Sequence, residues 1–211
     1  MNRIQISNVT SYNRYPAIFR RAQELSKSLT GKLNICSFGS STGEEVLTLK
    51  EKYFQDHDVF GCEIDESNLA KSRELTRGII PDGRLVSEFS MLKYKFDFVF
   101  AMSVFCRWTE SGSLNNLSRI YSFEQFESDM IELRDKIKIG GFLVLHNTNY
   151  YFEDTKTFGD FTGIEPLSTS KIFGSIPRFD TNGDLLPSGR TKEGFHSHTI
   201  RPGYVFFRRL K

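Results

Sequence analysis

The stretch Ile35 to Glu45, I-C-S-F-G-S-S-T-G-E-E, constrains this chain more than any other. An apolar run (Ile35, Cys36, Phe38) passes into a turn of small residues, Gly39-Ser40-Ser41-Thr42-Gly43, and two carboxylates and a helical apolar pattern follow. That order reads as strand, tight loop, helix. A second apolar run, Val59-Phe60-Gly61-Cys62, ends in the acid Glu63, about 20 positions after Gly43. A small-residue loop with an acid at the end of the next strand is a nucleotide-binding arrangement. The loop lets backbone approach a ligand closely, and the acid can accept hydrogen bonds from both ribose hydroxyls.

A chain of 211 residues can build one sizeable α/β core, and 20 Phe with 8 Tyr supply bulky material for it. A net charge of +2 does not argue for nucleic acid or membrane as a partner. Cys36, Cys62 and Cys106 are odd in number and match no zinc spacing, which reads as buried free thiols in a reducing compartment. The N-terminus shows no long apolar region and no stretch approaches a membrane span, so a cytoplasmic protein without a signal peptide is expected.

Along the chain, Pro16 opens a helix with Ile18, Phe19, Ala22, Leu25 and Leu29 at helical spacing, closed by Gly31. Leu33 to Phe38 is the first strand. Thr42 and Glu45 form a T-x-x-E capping box for the next helix, whose apolar face is Val46, Leu49 and Tyr53. Val59 to Ile64 is the second strand, and Asp65 caps a helix running to about Arg77. Arg84 to Phe89 and Phe96 to Met102 are the third and fourth strands. Residues 107–121 are too long for a plain connector and read as a functional loop. Ser122, with Gln125, caps a helix carrying Phe126, Met130, Leu133 and Ile137, terminated by Gly140-Gly141 before a fifth strand, Phe142 to Leu145. Alternating strands and helices predict a doubly wound, Rossmann-like, mostly parallel α/β sheet with helices on both faces. After Tyr150 turn signals multiply. Ile176 to Asp180 and Leu185-Leu186 flank Asn182-Gly183 as a hairpin, and Tyr204 to Arg208 is a terminal strand. The expected organisation is a single domain, 1–211: an N-terminal segment and helix (1–32), a cofactor-binding core (33–150) and a loop-rich β appendage (151–211).

The ordered set S-S-T-G-E-E, V-F-G-C-E-I-D-E-S-N-L-A-K-S-R, F-D-F-V-F-A-M-S-V-F and I-G-G-F-L-V-L resembles class I S-adenosylmethionine-dependent methyltransferases. Within that class the S-T-G-E-E form looks closest to the chemotaxis-receptor glutamate methyltransferases, over roughly residues 33–146. The resemblance implies S-adenosylmethionine as cofactor, with Gly39, Ser41 and Gly43 around its methionine end, Glu44 facing its ammonium, and Glu63 on the ribose. Ser87 to Ser90 would lie near the adenine, and Ser103 and Val104 under the transfer centre. Thr10 to Tyr15 is similar to the segment that lies over the cofactor in the receptor enzymes. The chain departs from those enzymes in three places. Ser37 stands where the first strand usually ends in an acid, Met102-Ser103 stands for Arg-Asn, and a receptor-docking helical domain has no counterpart. The Asn/Asp-Pro-Pro-Tyr motif of amino-methylating DNA enzymes is replaced by His146-Asn147-Thr148-Asn149-Tyr150.

Methyl transfer from a sulfonium is an in-line displacement, so the protein supplies alignment and sometimes a base. No catalytic residue is named by the sequence. Arg107, Trp108, Asn147, Asn149 and Tyr150 are candidates to bind a small-molecule or protein acceptor, with O-methylation implied by the receptor-enzyme resemblance. Each candidate has a plainer role: Glu45 as a capping-box residue, Glu44 as a favourable charge at a helix start, Trp108 as packing, His146 as a semi-buried histidine, and the loop asparagines as ordinary turn formers. His196-Ser197-His198 lacks a third metal ligand, and Arg208-Arg209-Leu210-Lys211 reads as a solvated tail. Two other readings stand beside the methyltransferase. One is a scaffold that kept the fold and lost the chemistry. The other is an NAD-dependent oxidoreductase, against which the loop lacks G-x-G-x-x-G spacing and sets Glu44 and Glu45 against a pyrophosphate. Acceptor and oligomeric state are not legible.

Overall fold

The apolar runs become strands and the 3.6-residue patterns become helices in a computed structural model that describes residues 8–164, 176–187, 189–190, 196–197 and 204–211. The chain divides into two compact units, one containing Asn8–Phe100 and the other Ala101–Lys211. The division falls inside the fourth strand, and so within the 33–150 stretch expected to act as one core.

In the first unit, Pro16 starts helix α1 (Pro16–Ser26), where its missing N–H costs nothing. The helix stops a turn before Gly31, because only Ile18, Phe19 and Ala22 have a core to enter. Strands β1 (Asn34–Phe38), β2 (Asp58–Cys62), β3 (Leu85–Val86) and β4 (Phe96–Met102) follow. They lie in the order β3-β2-β1-β4, and the β1–β2, β1–β4 and β2–β3 pairings are all parallel. Register partners share a face. Ser37 therefore sits level with Gly61 and Phe100. Phe19 meets Phe100 at 5.6 Å and Tyr53 at 5.5 Å between ring centroids, fastening α1 to that face. All seven residues of β4 are buried, as the run F-D-F-V-F-A-M predicts.

The helix after the small-residue loop differs from expectation. It is α2 (Glu44–Thr48), continued as a π-helical turn, Leu49–Tyr53. Its N-cap is Gly43 at φ 98°, with no side-chain cap, so the Thr42–Glu45 capping box does not form. The Thr42 hydroxyl instead donates to Glu44 Oε2 (2.7 Å), and Glu45 turns inward to accept from Ser37. Asp65 does cap α3 (Glu66–Leu75), its Oδ1 accepting from the Asn68 amide at 3.0 Å.

In the second unit, Ser122 caps α4 (Phe123–Lys136) by accepting from the Gln125 amide. The chain passes directly into β5 (Ile137–His146), so Gly140-Gly141 lies inside a strand and does not terminate the helix. The termination comes from the far end of the sequence: Arg209 Nη1 donates to the carbonyls of Arg134 (2.7 Å) and Ile137 (2.6 Å). The basic end is thus partly a paired strand and not a free tail, although Arg208, Leu210 and Lys211 remain exposed. Arg208 and Arg209 belong to β9 (Phe206–Arg209), which lies between β5 and β6 (Phe161–Ile164), antiparallel to both. Strands β7 (Gly189–Arg190) and β8 (His196–Ser197) form a separate short pair. The Asn-Gly turn forms as read, with Phe179 bridged to Leu185 and the Gly183 amide donating to the Asp180 carbonyl at 2.9 Å. Seven strands thus run β3-β2-β1-β4 in the first unit and β5-β9-β6 in the second, the doubly wound, Rossmann-like class.

Asp129 of α4 is the buried acid of the second unit. Gln125 donates to its Oδ1 at 3.0 Å and Tyr121 to its Oδ2 at 3.4 Å. Loss of hydration raises its pKa to about 6. The folded state therefore binds the proton more tightly than the unfolded chain, whose Asp titrates near its ordinary 3.8. Stability is greatest below that value and falls as pH rises through about 6, by on the order of 3 kcal/mol for this group. Urea unfolding across this range is expected to lose that part of its pH slope in Asp129→Asn.

Candidate functional site

Strand order reverses between β1 and β4, and ligands of doubly wound folds bind beyond the strand C-termini at such a reversal. The loop that leaves β1 there is Gly39–Gly43. Its backbone takes the left-handed region at Gly39 (φ 71°), Ser41 (φ 50°) and Gly43 (φ 98°), which winds it tightly. The Gly39 and Ser40 amides both donate to the Cys62 carbonyl, at 2.8 and 3.0 Å, and tie the loop to the end of β2.

Glu63 follows immediately, 7% exposed. Its own amide donates to the Val86 carbonyl (2.9 Å). Its Oε2 accepts from the Ser41 amide at 2.7 Å and its Oε1 from the Asp65 amide at 2.9 Å. The carboxylate therefore clamps the loop and α3 together, and each oxygen keeps a further lone pair for an incoming donor. In the same loop and in α3, the hydroxyls of Ser40, Ser41 and Ser72 and the amide nitrogen of Asn68 are buried without a hydrogen-bond partner among the described residues. Buried orphans of this kind mark a place built for a polar ligand or water.

Glu45 completes the cluster. Its Oε1 accepts from the Ser37 hydroxyl at 2.8 Å, which puts a carboxyl beside the end of β1. Lost hydration raises its pKa to about 7, against the Ser37 hydrogen bond and the charge of Arg14, which lower it. Arg14 is held nearby by the N-terminal segment. The Asn13 amide donates to Thr48 Oγ1 (2.8 Å), Tyr53 to Asn13 Oδ1 (2.8 Å), and Tyr12 to Glu51 (3.0 Å). Glu45, read from the sequence as a capping-box residue, is thus held by Ser37 instead, while Glu44 bonds the Thr42 hydroxyl.

The remaining candidates lie in the second unit. Ser103 and Asn147 are both half-buried and both left-handed (φ 61° and 54°), and Asn147 Nδ2 donates to Ser103 Oγ at 2.9 Å. Non-glycine residues held there store backbone strain, a recurrent property of functional positions. Val104 is half-buried beside them. Arg107 spends its guanidinium on Glu110 (2.6 Å), and Trp108 is 39% exposed. Asn149 and Tyr150 are fully buried. Asn149 takes the Arg107 amide (2.7 Å) and donates to the Pro177 carbonyl (2.9 Å), and Tyr150 donates to the Tyr121 carbonyl at 2.6 Å. These two side chains hold the segment together. Tyr150→Phe is expected to lower stability by about 1–2 kcal/mol in urea unfolding. His146 is buried. His198 lies outside the described residues. Among the described residues no group of three or more His, Cys, Asp or Glu could hold a metal, the three cysteines are buried, and no helix is long and apolar enough to cross a membrane.

No family model matches the sequence, and no curated protein matches it. Among solved structures, the chain is similar to Streptomyces venezuelae DesVI, at 21% identity over 71% of this chain and 57% of that one, with a TM-score of 0.45. It is also similar to CalS10, an amino pentose methyltransferase from Micromonospora echinaspora solved with S-adenosylmethionine, at 16% identity over 74% and 64% (TM-score 0.44). A ribosomal protein L11 methylase from Lactobacillus delbrueckii subsp. bulgaricus aligns at 11% identity over 74% and 73% (TM-score 0.48). The chain thus spans less than two thirds of the length of the first two.

Proposed function

We propose that this chain is an S-adenosylmethionine-dependent methyltransferase whose acceptor is a small molecule or a protein side chain. The observation that carries the reading is the tight Gly39–Gly43 loop clamped to Glu63 at the strand-order reversal, with unpartnered buried polar atoms in the loop and in α3. Glu63 takes the ribose hydroxyls on its remaining lone pairs. Gly39, Ser41 and Gly43 present backbone to the amino-acid end, and Glu44 and Glu45 give that end an anionic surround. Three carboxylates at one loop suit a cationic ligand and repel a pyrophosphate, which disfavours the oxidoreductase reading.

The cofactor, when bound, supplies an electrophilic methyl carbon, the C–S bond breaking as the bond to the acceptor heteroatom forms. The protein's part is alignment. Ser103 and Val104 sit where β4 ends, and the Ser103–Asn147 pair offers a hydroxyl and an amide carbonyl to orient a polar acceptor. Arg107 and Trp108, on the 107–121 loop, are the further candidates to bind the acceptor. O-methylation is the preferred outcome, on the likeness of the loop motif to receptor glutamate methyltransferases.

The test is turnover. With methyl-labelled S-adenosylmethionine and a panel of small-molecule and peptide carboxylates, hydroxyls and amines, the expected result is label in one acceptor class, with one S-adenosylhomocysteine released per methyl. Cofactor binding with no transfer to any acceptor would instead favour the binding or scaffold protein.

A further inference from the structure

The 107–121 loop carries Arg107 and Trp108, and it is pinned at its start, middle and end. At its start the Arg107 amide donates to Asn149 Oδ1 (2.7 Å), and at its end the Tyr121 carbonyl accepts from the Tyr150 hydroxyl (2.6 Å). Its middle is bonded to the Asn182-Gly183 turn. The Leu117 amide donates to the Gly183 carbonyl and the Leu185 amide to the Asn115 carbonyl, both at 2.8 Å. Asn116 Nδ2 adds donations to Asp184 Oδ1 (2.7 Å) and to the Asn182 carbonyl (3.3 Å). The turn is itself braced, because Asp180 Oδ1 accepts from the Asn182 and Asp184 amides at 2.8 and 2.9 Å. The first arm of the same hairpin holds Asn149: the Phe179 amide donates to the Asn149 carbonyl and Asn149 Nδ2 to the Pro177 carbonyl, both at 2.9 Å. Contact is closest at Gly183, which is buried at φ 84°. A Cβ there would lie 2.9 Å from both the backbone nitrogen and the Cβ of Ser118, so glycine alone suits the backbone and the space.

Resting on the methyltransferase reading above, we propose that the 176–187 hairpin is the positioning element of the acceptor side, with Gly183 setting where the 107–121 loop, and Arg107 and Trp108 on it, stand. The loop is then a preformed wall and not a lid that closes on the acceptor. A loop already ordered by backbone bonds spares the acceptor the entropy of ordering it. In-line displacement also tolerates little error in alignment, and a displacement of about 1 Å transmitted from a distant residue can slow such a reaction roughly 10²-fold. Gly183 acts through the loop and not on the acceptor. Every bond in this set lies within the second unit, whereas the Gly39–Gly43 loop and Glu63 belong to the first.

The test compares Gly183→Ala with Gly159→Ala, where a Cβ would meet nothing within 4 Å, and with Asn116→Ala, which removes an exposed side chain bonded to the turn. Each full chain is digested briefly with trypsin, and cleavage at the exposed Arg119–Ile120 bond is followed by mass spectrometry. Trp108, the single tryptophan, reports on the same loop through quenching by acrylamide. The parent and Gly159→Ala are expected to resist cleavage there with or without S-adenosylhomocysteine. Gly183→Ala is expected to be cut roughly tenfold faster or more, with Trp108 more readily quenched, and Asn116→Ala to change in the same direction. S-adenosylhomocysteine is expected to bind every variant within about twofold of the parent, while KM rises in Gly183→Ala for the acceptor class that methyl labelling identifies. Cleavage of Gly183→Ala and Asn116→Ala at the parent's rate would overturn the positioning role, as would unchanged kcat and KM in a variant whose loop is readily cut. A parent loop that is cut freely until S-adenosylhomocysteine is added would overturn the preformed wall. A parent that binds no S-adenosylhomocysteine but shows the expected cleavage pattern would overturn the cofactor reading and leave the hairpin's hold on the loop standing. Asn116→Ala decides the matter if Gly183→Ala does not fold.

Discussion

Glu63→Ala is expected to weaken S-adenosylhomocysteine binding by roughly 10²–10⁴-fold. The ribose hydroxyls would lose two hydrogen bonds to a charged acceptor, each worth about 1.5–3 kcal/mol. The loop would also lose the carboxylate that holds the Ser41 and Asp65 amides at 2.7 and 2.9 Å. Glu63→Gln keeps one acceptor oxygen and should fall between the two. Calorimetric titration measures the effect, with the urea midpoint of each variant as a check that the fold survives. An Ala variant that folds and binds within about threefold of the parent would remove Glu63 from the site and leave it as a loop clamp only.

Gly43→Ala is the second large effect, on stability first and on binding through it. Gly43 sits at φ 98°, which an L side chain rarely adopts, and a Cβ there would lie 2.5 Å from Ser72 Oγ and 3.0 Å from Ser72 Cα. The hydroxyl can rotate away, but the α3 backbone cannot yield without moving the helix. Left-handed strain and overpacking together are expected to cost roughly 2–4 kcal/mol in urea unfolding. Gly31→Ala is the internal comparison: φ is 79° there, and a Cβ would meet nothing within 4 Å. It should therefore cost only the conformational part. Equal losses at the two positions would mean that the α3 contact with the loop is not tight.

The difference between those glycines is invisible in the sequence, and the same holds for most of what sequence reasoning missed. Where a signal is local it was legible. Asp65 caps α3 and Ser122 caps α4 because the donor lies three residues on, and Phe96 to Met102 is a strand because no polar alternation interrupts it. Asn182-Gly183 makes its turn because those residues tolerate the backbone it needs. Where two outcomes compete locally, a partner distant in sequence decides. T-x-x-E is a sound capping pattern, but Glu45 prefers Ser37, eight positions earlier, and Gly43 takes the cap position in its place. Gly140-Gly141 is a sound helix stop, but Arg209 takes the Arg134 and Ile137 carbonyls at the junction of α4 and β5, and the glycines lie within the strand. Asn149 and Tyr150 were read as pocket residues from their polarity. Their burial depends on carbonyls at Pro177 and Tyr121 that no short window contains. The acid after β2 was legible as a strand-end carboxylate, whereas the bond between Glu45 and Ser37 is visible only once β1 and α2 stand side by side.

The most direct measurement is an equilibrium titration of the full chain with S-adenosylhomocysteine and, separately, with NAD. On this cofactor assignment the sulfur nucleoside binds with a Kd of about micromolar order, and NAD shows no saturable binding to a loop flanked by Glu44, Glu45 and Glu63. Saturable NAD binding with no binding of S-adenosylhomocysteine would contradict it.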